Sequence, residues 1–216
     1  MKAFQFNTTP GIRFGSDYSV GTAEEVSKKL GNKILFVTDP GLVKIGLHEK
    51  TITELQKYSE ILIFDNVEAD PSLKTLMKCV EIGSNFKATG VIGFGGGSSM
   101  DVAKLTALLI GSNENIHEAW GVANAKGPRL PLVLYPTTSG TGSEVTPISI
   151  ITQDDQEKKG VSSPIILPDL AILDPLLTLG LPPHTTAATG IDATVSYTHL
   201  RAHETDSYLV CRLLLE

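Results

Sequence analysis

The chain has 216 residues, 41% of them hydrophobic and 19% charged, which is enough apolar material for a sizeable core and argues against global disorder. Acidic residues outnumber basic ones, 24 to 18, and no basic tract appears, which argues against a nucleic-acid or anionic-membrane surface. No apolar run nears the roughly 18 residues of a spanning helix. The first residues lack a signal core, and two cysteines, Cys79 and Cys211, make no disulfide framework, so a soluble cytoplasmic protein is expected.

Residues 3–15 suggest an extended piece or hairpin around Pro10-Gly11. Short apolar runs at 33–38, 61–64, 90–94, 131–135 and 170–173 then alternate with helical stretches at 21–30, 49–58, 71–87 and 99–110. Near-continuous hydrophobicity in the strands implies a parallel sheet covered on both faces, hence a doubly wound α/β fold. An α+β domain with an antiparallel sheet is the alternative. Gly31 sits where a left-handed helix C-cap wants glycine, and Asp70-Pro71 offers an N-cap followed by proline at the first helical position. Residues 145–163 suggest two antiparallel strands joined by the polar turn QDDQEKK.

The sharpest local feature is GVIGFGGGSSMDVAKLTALLI, residues 90–110, in which a buried strand enters Gly95-Gly96-Gly97-Ser98 and then a helix at once. Glycines let a phosphate approach the backbone closely, and the free amides of a helix N-terminus point at it. Ser98 adds a hydroxyl donor, and Asp101 falls in the first turn, where the helix dipole favours a carboxylate. This is neither a G-x-G-x-x-G fingerprint nor a P-loop; a tight turn without a ligand is the plainer possibility.

A second loop, YPTTSGTGSEVTP at 135–147, runs from Thr137 to Ser143 entirely in small hydroxyl residues and glycine. After a buried strand, such a loop suits a sugar–phosphate or ring lying along the backbone; alone it would pass for a solvated linker. Asp39, ending KILFVTD, is placed to accept hydrogen bonds from an adenosine ribose and to repel a 2′-phosphate, although Asp39-Pro40-Gly41 is equally good N-cap chemistry. In LPPHTTAATGIDA, residues 181–193, the prolines should start a helix, and Asp192 inside it needs a partner, a metal or water.

Taken together, GGGSSMDVAK, PTTSGTGSEVT, AILDP and LPPHTTAATGIDA resemble, in order and spacing, the iron-containing (group III) alcohol dehydrogenases over residues 1–193. The resemblance implies an N-terminal dinucleotide-binding α/β domain and a C-terminal helical domain that carries most of the metal site. It implies that Gly96, Gly97 and Ser98 hold the pyrophosphate of NAD, that Thr137, Thr138, Ser139, Thr141 and Gly142 line the nicotinamide side, and that Asp39 selects NAD over NADP. It places Lys158 and Leu177 beside the ribose and nicotinamide, and makes Asp192 the first of four Fe(2+) ligands. A small alcohol or aldehyde substrate and a homo-oligomer when intact follow from the same likeness. A zinc-dependent polyol or glycerol dehydrogenase of the same superfamily is the enzymatic alternative, and a non-catalytic nucleotide-binding module the other.

The sequence also departs from that family. Its pattern after the aspartate is D-x-x-x-H, with both ligands one turn apart on one helix face, but Ser196 stands four residues after Asp192. The last stretch, VSYTHLRAHETDSYLVCRLLLE, places His199 and His203 four apart, a metal-ligand spacing on a helix. It also resembles a peptide produced when a reading frame runs on through sequencing adapter. The division expected is therefore a dinucleotide-binding domain at 1–181, the start of a helical metal-binding domain at 182–193, and a spurious tail at 194–216, the whole an inactive, truncated fragment.

Overall fold

The computed structural model describes residues 7–203, with side chains through Thr194. In chain order the strands are β1 (Ile12–Phe14), β2 (Lys33–Val37), β3 (Glu60–Phe64), β4 (Gly90–Gly95), β5 (Gly121–Val122), β6 (Leu132–Pro136), β7 (Ile148–Thr152), β8 (Lys158–Ser162) and β9 (Leu170–Leu173). The helices are α1 (Tyr18–Gly21), α2 (Ala23–Leu30), α3 (Pro40–Lys44), α4 (Glu49–Leu55), α5 (Leu73–Phe86), α6 (Gly97–Ser112), α7 (Ile116–Ala119) and α8 (Pro183–His203). None of them is long and apolar enough to cross a membrane.

Six strands form one parallel sheet in the order β1-β9-β6-β4-β2-β3. The doubly wound α/β expectation is thereby met. The pleat sends alternate side chains to opposite faces. Leu35 and Val37 join a core with α5, α6 and Val161 of β8. Ile34 and Phe36 join a second core with α2, α3 and α4. Along that second face Phe36, Phe94 and Tyr135 stack in sequence, with centroids 5.2 Å and 6.0 Å apart. Helix α6 is buried almost all round, as a helix between a sheet and a further layer should be.

The chain winds outward from β2 to β3, crosses back over β2 to β4, and continues through β6 to β9. The direction of winding therefore reverses between β2 and β4. In an open α/β sheet, the crevice at that reversal, outside the carboxyl ends of the strands, is where ligands bind. Asp39 follows β2 there, and Gly96 to Ser98 follow β4.

The expected antiparallel pair is present as β7 and β8, and the short β5 joins β8 in parallel. The suggested hairpin is absent among the described residues. Instead β1 adds to the sheet edge in parallel with β9, Ile12 opposite Ala171, a pairing that spans most of the chain. The cap of α5 also differs from expectation. Ser72 is the N-cap and accepts the Thr75 amide at 3.2 Å, whereas Asp70 pairs with Lys158 at 2.6 Å. Gly31 ends α2 at φ 89°, the left-handed region that favours glycine. Helix α8 starts at Pro183 and passes through residue 194 without a break; residues 204–216 of the suggested tail lie outside the described residues.

Candidate functional site

Two loops meet at the switch point. The first leaves β4 through Gly95, whose φ of +152° is strained for any side chain, and a β-carbon there would come within 2.6 Å of Ser99 Oγ. Gly96 is the N-cap of α6 and brings no capping side chain, so the amides of the first turn meet the crevice uncapped. The second loop leaves β6 and is stitched to the first where Thr137 N–H donates to the Gly95 carbonyl at 3.0 Å. A β-carbon on Gly97 would sit 3.2 Å from Thr141 Cγ2, and one on Gly96 3.5 Å from Thr138 Cγ2. The glycines thus keep open a seam that side chains would fill.

Around this seam lie three cavities. The first, of about 510 Å³, is lined by Asp39, Gly96, Gly97, Ser98, Thr137, Thr138 and Leu177, with apolar walls from Leu42, Val67 and Leu181. The second, of about 600 Å³, shares Gly97 and Ser98 with it and adds Asp101, Thr141, Lys158 and Asp192. The third, of about 540 Å³, shares Thr138 and adds Ser139 and Gly142. Asp39, Gly96, Gly97, Ser98, Asp101, Thr137, Thr138, Ser139, Thr141, Gly142, Lys158, Leu177 and Asp192 each line at least one of the three, whereas Gly95 lines none. Thr138, between the first and third, has a buried Oγ1 without a hydrogen-bond partner among the described groups, which suits a ligand supplying one.

Asp39 is the N-cap of α3, its Oδ1 accepting the Leu42 amide at 3.0 Å, and it also lines the first cavity. Leu177 is presented by the turn Pro175–Thr178, which Asp174 caps. Asp174 is itself buried and accepts the Ser19 hydroxyl at 2.6 Å and the Ser19 amide at 3.0 Å, so that turn is held rigidly to α1.

Asp101 is not in the first turn as expected, because α6 starts at Gly97 and its first turn holds no acidic residue; the side chain serves a tertiary contact instead. Its carboxylate accepts the Ser143 hydroxyl at 2.7 Å and the Ile150 amide at 2.9 Å, tying α6 to β7. Beside it, sequence reasoning missed Lys104, which is fully buried and donates to Ser143 Oγ at 2.8 Å, to the Thr146 carbonyl at 3.0 Å and to the Ile148 carbonyl at 2.8 Å. The available signal was an aspartate–lysine pair one turn apart in an otherwise apolar helix. Burial pushes the Lys104 amine down to about 8, with Asp101 and then Glu144 opposing. Burial likewise raises the Asp101 carboxyl, against the opposing pull of Lys104 and its two hydrogen-bond donors. Both directions have the same leading cause, the desolvation of a charge on burial, which the attraction between the two groups partly offsets.

The donor set for a metal is thin. Asp192 is exposed on α8 and borders the second cavity, and no group of three or more His, Cys, Asp or Glu side chains comes together among the described residues. Those residues do not fit an iron ion by themselves. The side chains of Ser196, His199 and His203 lie outside the described set.

A doubly wound sheet with a glycine-lined crevice at its switch point defines a Rossmann-like α/β domain. Residues 9–175 match the family model described as iron-containing alcohol dehydrogenase. The chain belongs to that family. It is 39% identical over 196 residues to the sulfoacetaldehyde reductase of Bilophila wadsworthia, covering 89% of this chain and 50% of that protein. It is 44% identical over 171 residues to long-chain-alcohol dehydrogenase 1 of Geobacillus thermodenitrificans, covering 77% and 43%. Among solved structures it superposes on a 1,3-propanediol oxidoreductase with a TM-score of 0.84 at 31% identity, covering 88% of this chain and 50% of that one. It also superposes on the sulfoacetaldehyde reductase of Bifidobacterium kashiwanohense in complex with NAD+, with a TM-score of 0.80 at 30% identity, covering 89% and 51%. The chain thus spans about half the length of the relatives it matches.

Proposed function

We propose that residues 1–181 are the NAD-binding half of an oxidoreductase that interconverts primary or secondary alcohols and the corresponding aldehydes or ketones. The observation that carries this is the meeting of Asp39, Gly96 to Ser98 and Thr137 to Thr138 around one crevice at the carboxyl ends of neighbouring strands, in a chain of this family. The first-turn amides of α6 and the Ser98 hydroxyl hold the pyrophosphate. Asp39 accepts hydrogen bonds from the adenosine ribose. Thr138, Ser139, Thr141 and Gly142 line the nicotinamide side, with Leu177 packing on the ring and Lys158 near the ribose. Bound NAD supplies the hydride acceptor; the protein positions it and excludes water.

The complete protein, in this proposal, uses iron(II) as a Lewis acid. Asp192 is this chain's candidate ligand, at the start of a helical metal-binding domain that opens at 182–193, and residues 194–216 are foreign to the fold. No step is routed through the metal here, because one carboxylate does not make a site. The chain's relatives range from a sulfoacetaldehyde reductase to a long-chain-alcohol dehydrogenase, which supports an alcohol or aldehyde as the substrate class, here proposed to be a small one. The complete protein is proposed to be cytoplasmic and homo-oligomeric.

A second reading applies to the 216 residues as they stand: a nucleotide-binding module without catalysis, favoured by the thin donor set around Asp192. Titration of the chain with NAD, and assay with an alcohol, NAD and ferrous iron, separates the two. Binding with turnover supports an active fragment, and binding without turnover supports the module.

A further inference from the structure

We propose that Lys104 is a positioning residue of the nucleotide site, fixing the root of the second loop against the N-terminus of α6 so that both grip one ligand. This rests on the NAD-site reading above.

Lys104 stands in the second turn of the helix whose first turn opens into the crevice. It has no exposed surface, and its three donated hydrogen bonds all leave the helix for the segment Ser143 to Ile148. Ser143 closes the loop that begins at Thr137, and it also donates to Asp101 at 2.7 Å. One ammonium and one carboxylate, a turn apart on α6, thus clamp the loop's far end. Its near end is held by the Thr137 amide on the Gly95 carbonyl. Between those two anchors Thr141 stands against Gly97, its Cγ2 3.2 Å from where a β-carbon on that glycine would lie.

Stability alone does not account for a lysine here. Replacing both Lys104 and Asp101 by apolar side chains of similar volume would fill the same space without buried charge, and such paired replacements are often neutral or stabilising, whereas Lys104→Met alone leaves the Asp101 carboxylate without its cation and costs stability as well. What methionine would lack is directionality: three donors aimed at three acceptors set the loop at one distance and one angle from the phosphate cradle. The ADP portion of the dinucleotide touches Asp39 and the cradle, and the remainder needs the loop. The clamp therefore matters to NAD and not to ADP.

The test is calorimetric titration of the full chain with ADP and with NAD, for the parent, Lys104→Met and Ser143→Ala. The parent should bind both. Lys104→Met should keep its ADP affinity within about twofold and lose about tenfold or more for NAD, as expected when a preorganised contact surface becomes mobile. Ser143→Ala leaves two of the three acceptors and should give a smaller loss confined to NAD; if Lys104→Met does not fold, this variant decides the matter. NAD affinity equal to the parent's, or parallel losses of ADP and NAD, would overturn the proposal. A parent that binds neither nucleotide overturns the site itself, and the clamp with it.

Discussion

Asp39 accepts the Leu42 amide hydrogen through Oδ1 at 3.0 Å, while its Oδ2 faces Gly95, 3.4 Å from where a β-carbon on that glycine would stand. Helix capping and cofactor contact are therefore compatible duties of one carboxylate. The cap uses one oxygen, and the other lies toward the phosphate cradle.

Cofactor choice follows from that charge. The chain should bind NAD more tightly than NADP by about 1–3 kcal/mol, the range for an unpaired like charge in a partly exposed site. Asp39→Gly should narrow the gap while costing only about a few tenths of a kcal/mol of stability, since glycine is itself a tolerated N-cap. Asp39→Ala should narrow it equally at a cost of about 1 kcal/mol. Titrations with both nucleotides and urea melts of the three proteins check this; equal affinity of the parent for NAD and NADP would count against it.

The cradle should be intolerant of a methyl group. Gly95→Ala combines a φ of +152° with a contact of 2.6 Å to Ser99 Oγ, and strained backbone of this kind costs of order 1–3 kcal/mol. Gly97→Val should fold, because its conflict is with Thr141 Cγ2 at 3.2 Å, but should bind nucleotide poorly. Melting temperatures and ADP affinities of the two variants separate strain from occlusion.

Lys104 gives a pH signature. Its amine titrates at about 8 in the folded chain, because burial disfavours the charge, against roughly 10.4 when exposed. The unfolded state binds the proton more tightly between those values, so the penalty for the buried charge is fully present below pH 8 and fades as pH rises toward 10. The unfolding free energy of the parent should rise across that window relative to Lys104→Met, whose charge is gone. Urea midpoints at several pH values measure it, and parallel curves for the two proteins would contradict the assignment.

For metal, the expected result is less than stoichiometric iron in this chain after anaerobic reconstitution. Asp192 is the one ligand proposed for this chain, no group of three or more His, Cys, Asp or Glu side chains comes together among the described residues, and tight sites need several fixed ligands with supporting contacts. The control is His199→Ala/His203→Ala. If the parent holds one iron per chain and the double variant loses it, the segment after 194 supplies a site of its own and is not foreign to the fold.

The sheet was legible because its strands are short, continuous apolar runs such as Ile34–Val37 and Leu132–Tyr135, buried on both faces, and the helices between them carry their own signals. The two glycine-rich loops were legible for the same reason in reverse, since small residues directly after a buried strand serve close approach. What stayed hidden depends on partners distant in sequence. β1 is three residues long and is defined by β9, about 160 residues away. Ser72 and not Asp70 caps α5 because the helix starts at Leu73, two residues later than the Asp70-Pro71 pair suggested, and Asp70 pairs with Lys158 of β8. Lys104 was passed over because a lysine in a helix ordinarily faces water, and only the position of β7 shows that this one does not. Asp101 was read as a carboxylate favoured by the helix dipole, and its bonds to Ser143 and Ile150 likewise need the tertiary fold.

The most direct test of the account is the crystal structure of this chain grown with NAD. The expected density puts the pyrophosphate within hydrogen-bond distance of the Gly97 and Ser98 amides, an adenosine ribose hydroxyl on Asp39, and the nicotinamide ring between the 137–142 loop and Leu177. Density for NAD anywhere else, or an empty crevice at saturating NAD, would contradict it.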